Sequence, residues 1–301
     1  MPELPDLIVY REALTSRVVG KTIISLRVHS PSLLRTVDPP VSAAERALVE
    51  GVALLGKRLV FELLGDLYLV LHLMVAGRLH WKQPGTPLRK KFDSAAIDFD
   101  DGTLLLTEAG TRKRASLHVV SGRDSLRSFD RGGVDPLSAT AADFQAALRR
   151  RRHTLKRALV DPSVVSGVGN AYSDEILHHA RLSPLKHTTQ LSDEECARLA
   201  ASSREVLESW IRRLREEALG KFPEKVTAFR SEMAVHGKFG QPCPVCRTRI
   251  QRIRYAENEC NYCPRCQTEG RILSDRSLAR LLKDDWPRTI EELESRQDLL
   301  S

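Results

Sequence analysis

Four cysteines carry the clearest chemistry in this chain: Cys243-Pro-Val-Cys246 and Cys263-Pro-Arg-Cys266, with sixteen residues between the two pairs. Each C-x-x-C turn can set two thiolates on one side of an ion, and two such turns together hold a tetrahedral Zn²⁺. Cys260 also stands close to Cys263, but the outer pairs share the form Cys-Pro-x-Cys, so Cys260 is left out of the ligand set. Four thiolates leave no open coordination position, so the expected ion is a single structural Zn²⁺. Five of the six cysteines fall between Cys243 and Cys266, a crowding that suits a metal and not a disulfide framework. Arg247, Arg249, Arg252, Arg254 and Arg265 decorate the same segment, which suits a hairpin facing phosphates.

A second pattern lies upstream. Asp161-Pro162-Ser163-Val164-Val165-Ser166-Gly167-Val168-Gly169-Asn170 reads as a small turn joining two helices. Such a turn brings backbone N–H groups and the positive end of the next helix to the surface, where both favour an anion. Asn170 adds a side-chain donor, and Lys156 and Arg157 add charge.

The elements that must hold these groups can be read from periodicity. Residues 5–18 have helical spacing, and the pattern from about 21 to 120 is strand-like. Gly65-Asp66 and Asp101-Gly102 each sit between two apolar runs and mark hairpins. Short strands without regular β-α alternation point to an antiparallel sandwich or barrel. After a linker at 131–137 the pattern turns helical. DFQAALRRR, LKRALV and AYSDEILHHA follow in turn, then a long helix from Ser192 to Leu219 opened by a Ser192/Glu195 capping box. The expected fold is α+β and multidomain. It comprises an N-terminal domain (1–130), a helical domain (138–235), a zinc ribbon (236–270) and a charged tail (271–301) with a possible final helix.

Composition narrows the partners. Lys and Arg number 47 against 39 Asp and Glu, a formal charge of +8 with a pI near 9.3, which favours a polyanion. The N-terminus has no basic and apolar regions of a signal peptide, and the longest apolar run, Leu67 to Ala76, is interrupted by His72 and too short to cross a bilayer. A cytoplasmic protein with no membrane partner is expected.

With these pieces in place the chain resembles the formamidopyrimidine-DNA glycosylase/endonuclease VIII family over about residues 1–270. The resemblance rests on Met-Pro-Glu-Leu-Pro at the start, Gly56-Lys57-Arg58, His72-Leu73-Met74, Gly167 through Glu175 and the four-cysteine ribbon, all in the family's order. Leu4 places it nearer the formamidopyrimidine branch. The resemblance implies an N-terminal β-sandwich with an N-terminal helix, a helix–two-turn–helix and a zinc ribbon, with damaged double-stranded DNA as partner and a monomeric enzyme. It implies a base-excision repair activity, a DNA glycosylase and AP lyase acting on oxidised bases. Pro2 is the nucleophile once Met1 is removed, Glu3 shuttles protons, and Lys57 contacts DNA at the cleavage site. It also implies that Met74 fills the stack left by a flipped nucleotide, that Asn170 grips a phosphate, and that Lys156 adds a further DNA contact. Arg112 and Arg114, in the loop 108–115, are expected to read the opposite strand. Asn258 stands where the family has a ribbon arginine that contacts phosphates. A non-catalytic damaged-DNA-binding protein is the rival reading, and it gives no reason for Pro2, Glu3 and Lys57 to be intact; within the enzyme reading, oxidised pyrimidines or abasic sites compete with oxidised purines as the main substrate.

Overall fold

The structure is a computed structural model that describes residues 1–89, 91–109, 112–224, 226–227, 230–255, 258–274 and 287–298. The chain divides into two compact units. One is Met1–Gly132 with Glu208–Ala228, and the other is Gly133–Leu207 with Phe229–Ser301.

The first unit opens with helix α1 (Leu4–Val18), which starts where the Asp6 carboxylate accepts a hydrogen bond from the Glu3 N–H at 3.0 Å. The Asp6 side chain thus caps the helix. Eight strands follow: β1 (Ser25–Val28), β2 (Val49–Leu55), β3 (Arg58–Leu63), β4 (Leu67–His72), β5 (Gly77–Lys82), β6 (Asp93–Asp98), β7 (Thr103–Glu108) and β8 (Ser116–Ser121). They form two antiparallel four-stranded sheets, ordered β2-β3-β4-β8 and β1-β6-β7-β5. Both expected hairpins are present: β3 turns into β4 through Gly65-Asp66, and β6 into β7 through Asp101-Gly102. The core gathers Leu7, Tyr10, Leu14 and Val18 of α1 with Leu59, Phe61, Leu69, Leu71, Leu104, Leu106, Leu117 and Val119 of the sheets. β4 reads as an unbroken apolar run because both of its faces are covered. Leu69 and Leu71 join the main core, while Tyr68 and Val70 pack with Val60, Val120, Leu126 and Phe129 beside the short helix α2 (Arg123–Arg127).

The second unit begins with α3 (Ala141–Arg149), α4 (Leu155–Val160) and α5 (Asn170–His179), at the three helical segments the sequence marks. The long helix α6 (Asp193–Ala218) starts at the expected capping box: Glu195 N–H donates to Ser192 Oγ at 3.2 Å, and Ser192 N–H donates to the Glu195 carboxylate at 3.0 Å. The division between units falls within this helix. The residues after it, Phe222 and Val226, join the core of the first unit. The ribbon hairpin is β9 (Gln251–Tyr255) with β10 (Asn258–Tyr262), followed by the short helix α7 (Pro264–Thr268). Among the described tail residues, Arg271 bridges Thr289 and helix α8 spans Ile290–Asp298. No helix among the described residues is long and apolar enough to cross a membrane.

Candidate active site and metal centre

At the amino terminus, Pro2 and Glu3 are both buried at the start of α1, with Glu3 only 2% exposed. The terminal amine, borne here by Met1, titrates below its ordinary value of 8.0. Burial is the main cause and the positive charge of Arg78 the second; Lys57 adds to the effect, and Glu3 and Asp6 oppose it. Four charged side chains therefore surround this amine. Lys57 comes from the Gly56-Lys57 turn between β2 and β3, and Arg78 from β5. The structure thus sets Glu3 and Lys57 near the terminal amine that precedes Pro2. It adds Arg78, which no sequence motif had marked.

The turn from β4 to β5 carries Met74, which adopts a positive φ of 51°. Gly77 closes it, its N–H donating to Leu73 O at 2.9 Å. A Cβ at Gly77 would lie 2.3 Å from that oxygen, so no other residue fits. Met74 is only partly exposed, whereas the next residue, Val75, is 56% exposed and forms the apolar tip. Across the same region His72 is held down to about 4, first by burial and then by Arg58, Lys57 and His118, so its ring is neutral at pH 7.

The loop after β7 is held at its base by Glu108, whose carboxylate accepts from the N–H groups of Arg114 and Ala115. Arg112 and Arg114 are exposed. Neither guanidinium has an ion pair among the described residues. Gly110 and Thr111 lie outside the described residues.

The second unit holds the metal centre. Cys243, Cys246, Cys263 and Cys266 place their sulfurs within 4.8 Å of one another, with Cys246 to Cys263 at 3.3 Å and Cys243 to Cys266 at 3.9 Å. A tetrahedron with Zn–S bonds of ~2.3 Å has S···S edges of about 3.8 Å, so the four thiolates fit zinc. Cys260 is buried on β10 opposite Ile253 and is no part of this group.

Helix α5 ties the ribbon down. Asp174, fully buried, accepts from Lys156 Nζ at 2.6 Å, from the Asn261 N–H at 3.1 Å and pairs with His236 Nδ1 at 2.8 Å. Burial pushes its carboxyl up, but Lys156 and His236 outweigh burial and hold it below the usual range. Glu175 accepts three backbone N–H bonds, from Ala234, Val235 and His236, at 2.7 to 2.9 Å. His178 Nε2 lies 3.3 Å from Cys243 Sγ. The acidic pair in AYSDEILHHA is thus internal wiring. The sequence signal for it was two adjacent carboxylates in an otherwise apolar helix turn, each needing a buried partner.

This corrects the reading of Lys156. The residue is 9% exposed, and its ammonium donates to Asn170 O, Ser173 Oγ and Asp174 Oδ1 at 2.7, 2.8 and 2.6 Å, so its three protons point inward and it anchors α5. Asn170 opens α5, with Nδ2 donating to Glu259 O at 3.0 Å. Asn258 opens β10 opposite Tyr255, and its side chain lies outside the described residues.

Similarity to known proteins follows the same division. Residues 1–116 match the formamidopyrimidine-DNA glycosylase N-terminal domain, 133–218 its H2TH domain, and 240–268 a zinc finger found in FPG and IleRS. A formamidopyrimidine-DNA glycosylase of Laribacter hongkongensis is 34% identical over 277 residues, spanning 89% of this chain and 100% of that protein. The chain belongs to the formamidopyrimidine-DNA glycosylase family. A formamidopyrimidine-DNA glycosylase of Symbiobacterium thermophilum is 33% identical over 290 residues, 92% of this chain and 93% of its own. Among solved structures, MutM in complex with carbocyclic 8-oxo-G containing DNA superposes with a TM-score of 0.79 at 29% identity, covering 89% of this chain and 100% of that one. A complex of Lactococcus lactis Fpg with an abasic site containing DNA gives 0.78 at 29% identity, covering 88% and 99%. The homologues in this family are DNA glycosylases with AP lyase activity.

Proposed function

We propose that this family member excises oxidised bases from duplex DNA and cleaves the strand at the resulting abasic site through a covalent intermediate on Pro2. The observation that carries the reading is the buried amino terminus, set against Glu3 and under the charges of Arg78 and Lys57. With Met1 removed, the secondary amine of Pro2 stands at this place. An α-amino group ordinarily titrates at about 7.7–8.0. Burial and two nearby cations favour the neutral form, which has the lone pair needed for attack.

The amine adds to the sugar C1′ as the glycosidic bond breaks, and the departing base keeps the bonding pair and takes the proton that the amine loses. Ring opening moves the C1′–O4′ pair onto O4′, which is protonated, and leaves a cationic iminium between Pro2 and C1′. Glu3, beside the amine, suits the proton delivery at O4′. Loss of a C2′ proton feeds electrons into the iminium, and elimination then breaks the C3′–O bond with the phosphate as leaving group. Water releases the enzyme by hydrolysing the C=N bond. A base inside the duplex hides C1′, so the nucleotide must flip, and the tip formed by Met74 and Val75 fills the gap. Asn170, Asn258, Arg112 and Arg114 supply DNA contacts, and Lys156 acts by holding α5. One zinc per chain holds the ribbon and takes no part in the reaction. The proposed enzyme works as a monomer in the cytoplasm. The complexes of MutM with 8-oxo-G analogue DNA and of Lactococcus lactis Fpg with FAPY-dG containing DNA support oxidised purines as the substrate class.

Borohydride reduction during incubation with an abasic-site duplex tests the reading. A trapped adduct on residue 2 is expected, and it should be absent from protein that retains Met1. Equal trapping with a blocked terminus would remove Pro2 from the reaction.

A further inference from the structure

We propose that Arg78 is a positioning residue that couples the stack-filling turn at 73–77 to the amino-terminal nucleophile, an inference that rests on the Pro2 reading above. Its guanidinium holds the turn by hydrogen bonds. Nη1 donates to Val75 O at 3.1 Å and to Gly77 O at 2.7 Å, two carbonyls of the turn. The turn needs such a brace because Met74 sits in the left-handed region, which a long side chain enters unwillingly.

The same residue is fixed against α1. The Leu79 N–H donates to the hydroxyl of Tyr10 at 3.3 Å, and Tyr10 is wholly buried in the core, packed against Phe222. This bond anchors the start of β5 to the helix whose first residues carry the nucleophile, so the position of Arg78 relative to that amine is set by the core. Its Nε and Nη2 have no partner among the described residues, and no carboxylate neutralises it.

The charged groups that act on the amine are Arg78 from β5, Lys57 from the β2–β3 turn, and Glu3 and Asp6 from α1. Arg78 exerts the largest charge effect of the four. A like charge disfavours the protonated amine, so Arg78 lowers the pH at which the nucleophile becomes available. Removing that charge must therefore shift the acid limb of the reaction to higher pH. One guanidinium thus braces the turn that fills the gap and favours the unprotonated form of the terminal amine.

Two substitutions separate these roles. Arg78→Lys keeps the charge, and Arg78→Gln keeps an N–H donor for the carbonyls without it. The measurement is the rate of adduct trapping by cyanoborohydride on an abasic-site duplex as a function of pH, with 2-aminopurine opposite the abasic site reporting stacking by its fluorescence. Arg78→Gln should move the acid limb to higher pH. Arg78→Lys, which keeps the charge and N–H donors, should keep the limb in place with stacking close to wild type. A uniform rate loss with an unmoved limb in Arg78→Gln would reduce Arg78 to a structural part and overturn the inference. So would equal limb shifts in both variants. Wild-type protein that forms no adduct on residue 2 would remove the Pro2 reading and this inference together. An adduct on residue 2 with an unmoved limb would remove this inference alone.

Discussion

Lys156 and Asn170 lie fourteen positions apart and were both expected to touch DNA, yet their side chains have different surroundings. Asn170 keeps one amide hydrogen and its oxygen after bonding Glu259 O, at the first turn of a ten-residue helix. Lys156 has no proton left to offer. A basic residue near a phosphate-binding turn reads the same in sequence whether it faces out or in, because charge is visible in the sequence and direction is not. Pro2 and Glu3 were singled out by the resemblance and not by any local pattern, and the structure buries both at the start of α1. Arg78 was illegible because its partners are backbone carbonyls and a distant chain end. The difference for Lys156 is measurable. Lys156→Met should leave Asp174 as a buried carboxylate short of its cation and cost about 3–5 kcal/mol in urea unfolding. A variant of wild-type stability whose DNA affinity merely loses salt sensitivity would show instead that Lys156 contacts phosphate.

At the scale of elements, hairpins and helices with local signals were read correctly: Gly65-Asp66, Asp101-Gly102 and the Ser192/Glu195 box each depend on residues within a few positions. What escaped were features that depend on tertiary partners. The segment 222–226 has no periodicity, yet Phe222 and Val226 complete a core built mostly from residues 7–119. The choice of ribbon ligands was local too, since each Cys-Pro-x-Cys turn is self-contained, and Cys260 is excluded because it faces inward across from Ile253. Metal content checks this element directly. Cys263→Ser should lose its zinc, and because the hairpin and the segment 234–236 are wired to α5, it should also lose DNA affinity. Cys260→Ser should keep the metal, since Cys260 is no part of the four-sulfur group. Equal zinc loss from the two variants would show that the wrong knuckle was chosen.

For the molecule as a whole, the net charge of +8 understates how unevenly cations are committed. Many are already neutralised internally: Arg27 by Asp98, Arg89 by Asp93, Lys186 by Glu195 and Arg215 by Glu12. Others are exposed and have no ion pair among the described residues, Arg112 and Arg114 in the first unit and Arg254 in the second. Cations of this second kind can displace counterions from DNA, because a cation already paired to a carboxylate gains little by exchanging it for a phosphate. Each neutralised phosphate contributes about −0.9 to the slope of log affinity against log salt. With contacts to about four to six phosphates the slope should be about −3.6 to −5.4, so a fourfold rise in salt should weaken binding about 100- to 2000-fold. The dependence should be similar for duplexes of unrelated sequence, since contacts to phosphates carry no sequence information. Arg254→Ala should lower the slope by about one and weaken every duplex alike. A flat salt response in the wild type would mean that the exposed cations serve some partner other than a nucleic acid backbone. A loss in Arg254→Ala confined to one sequence would mean that this ribbon arginine reads a base.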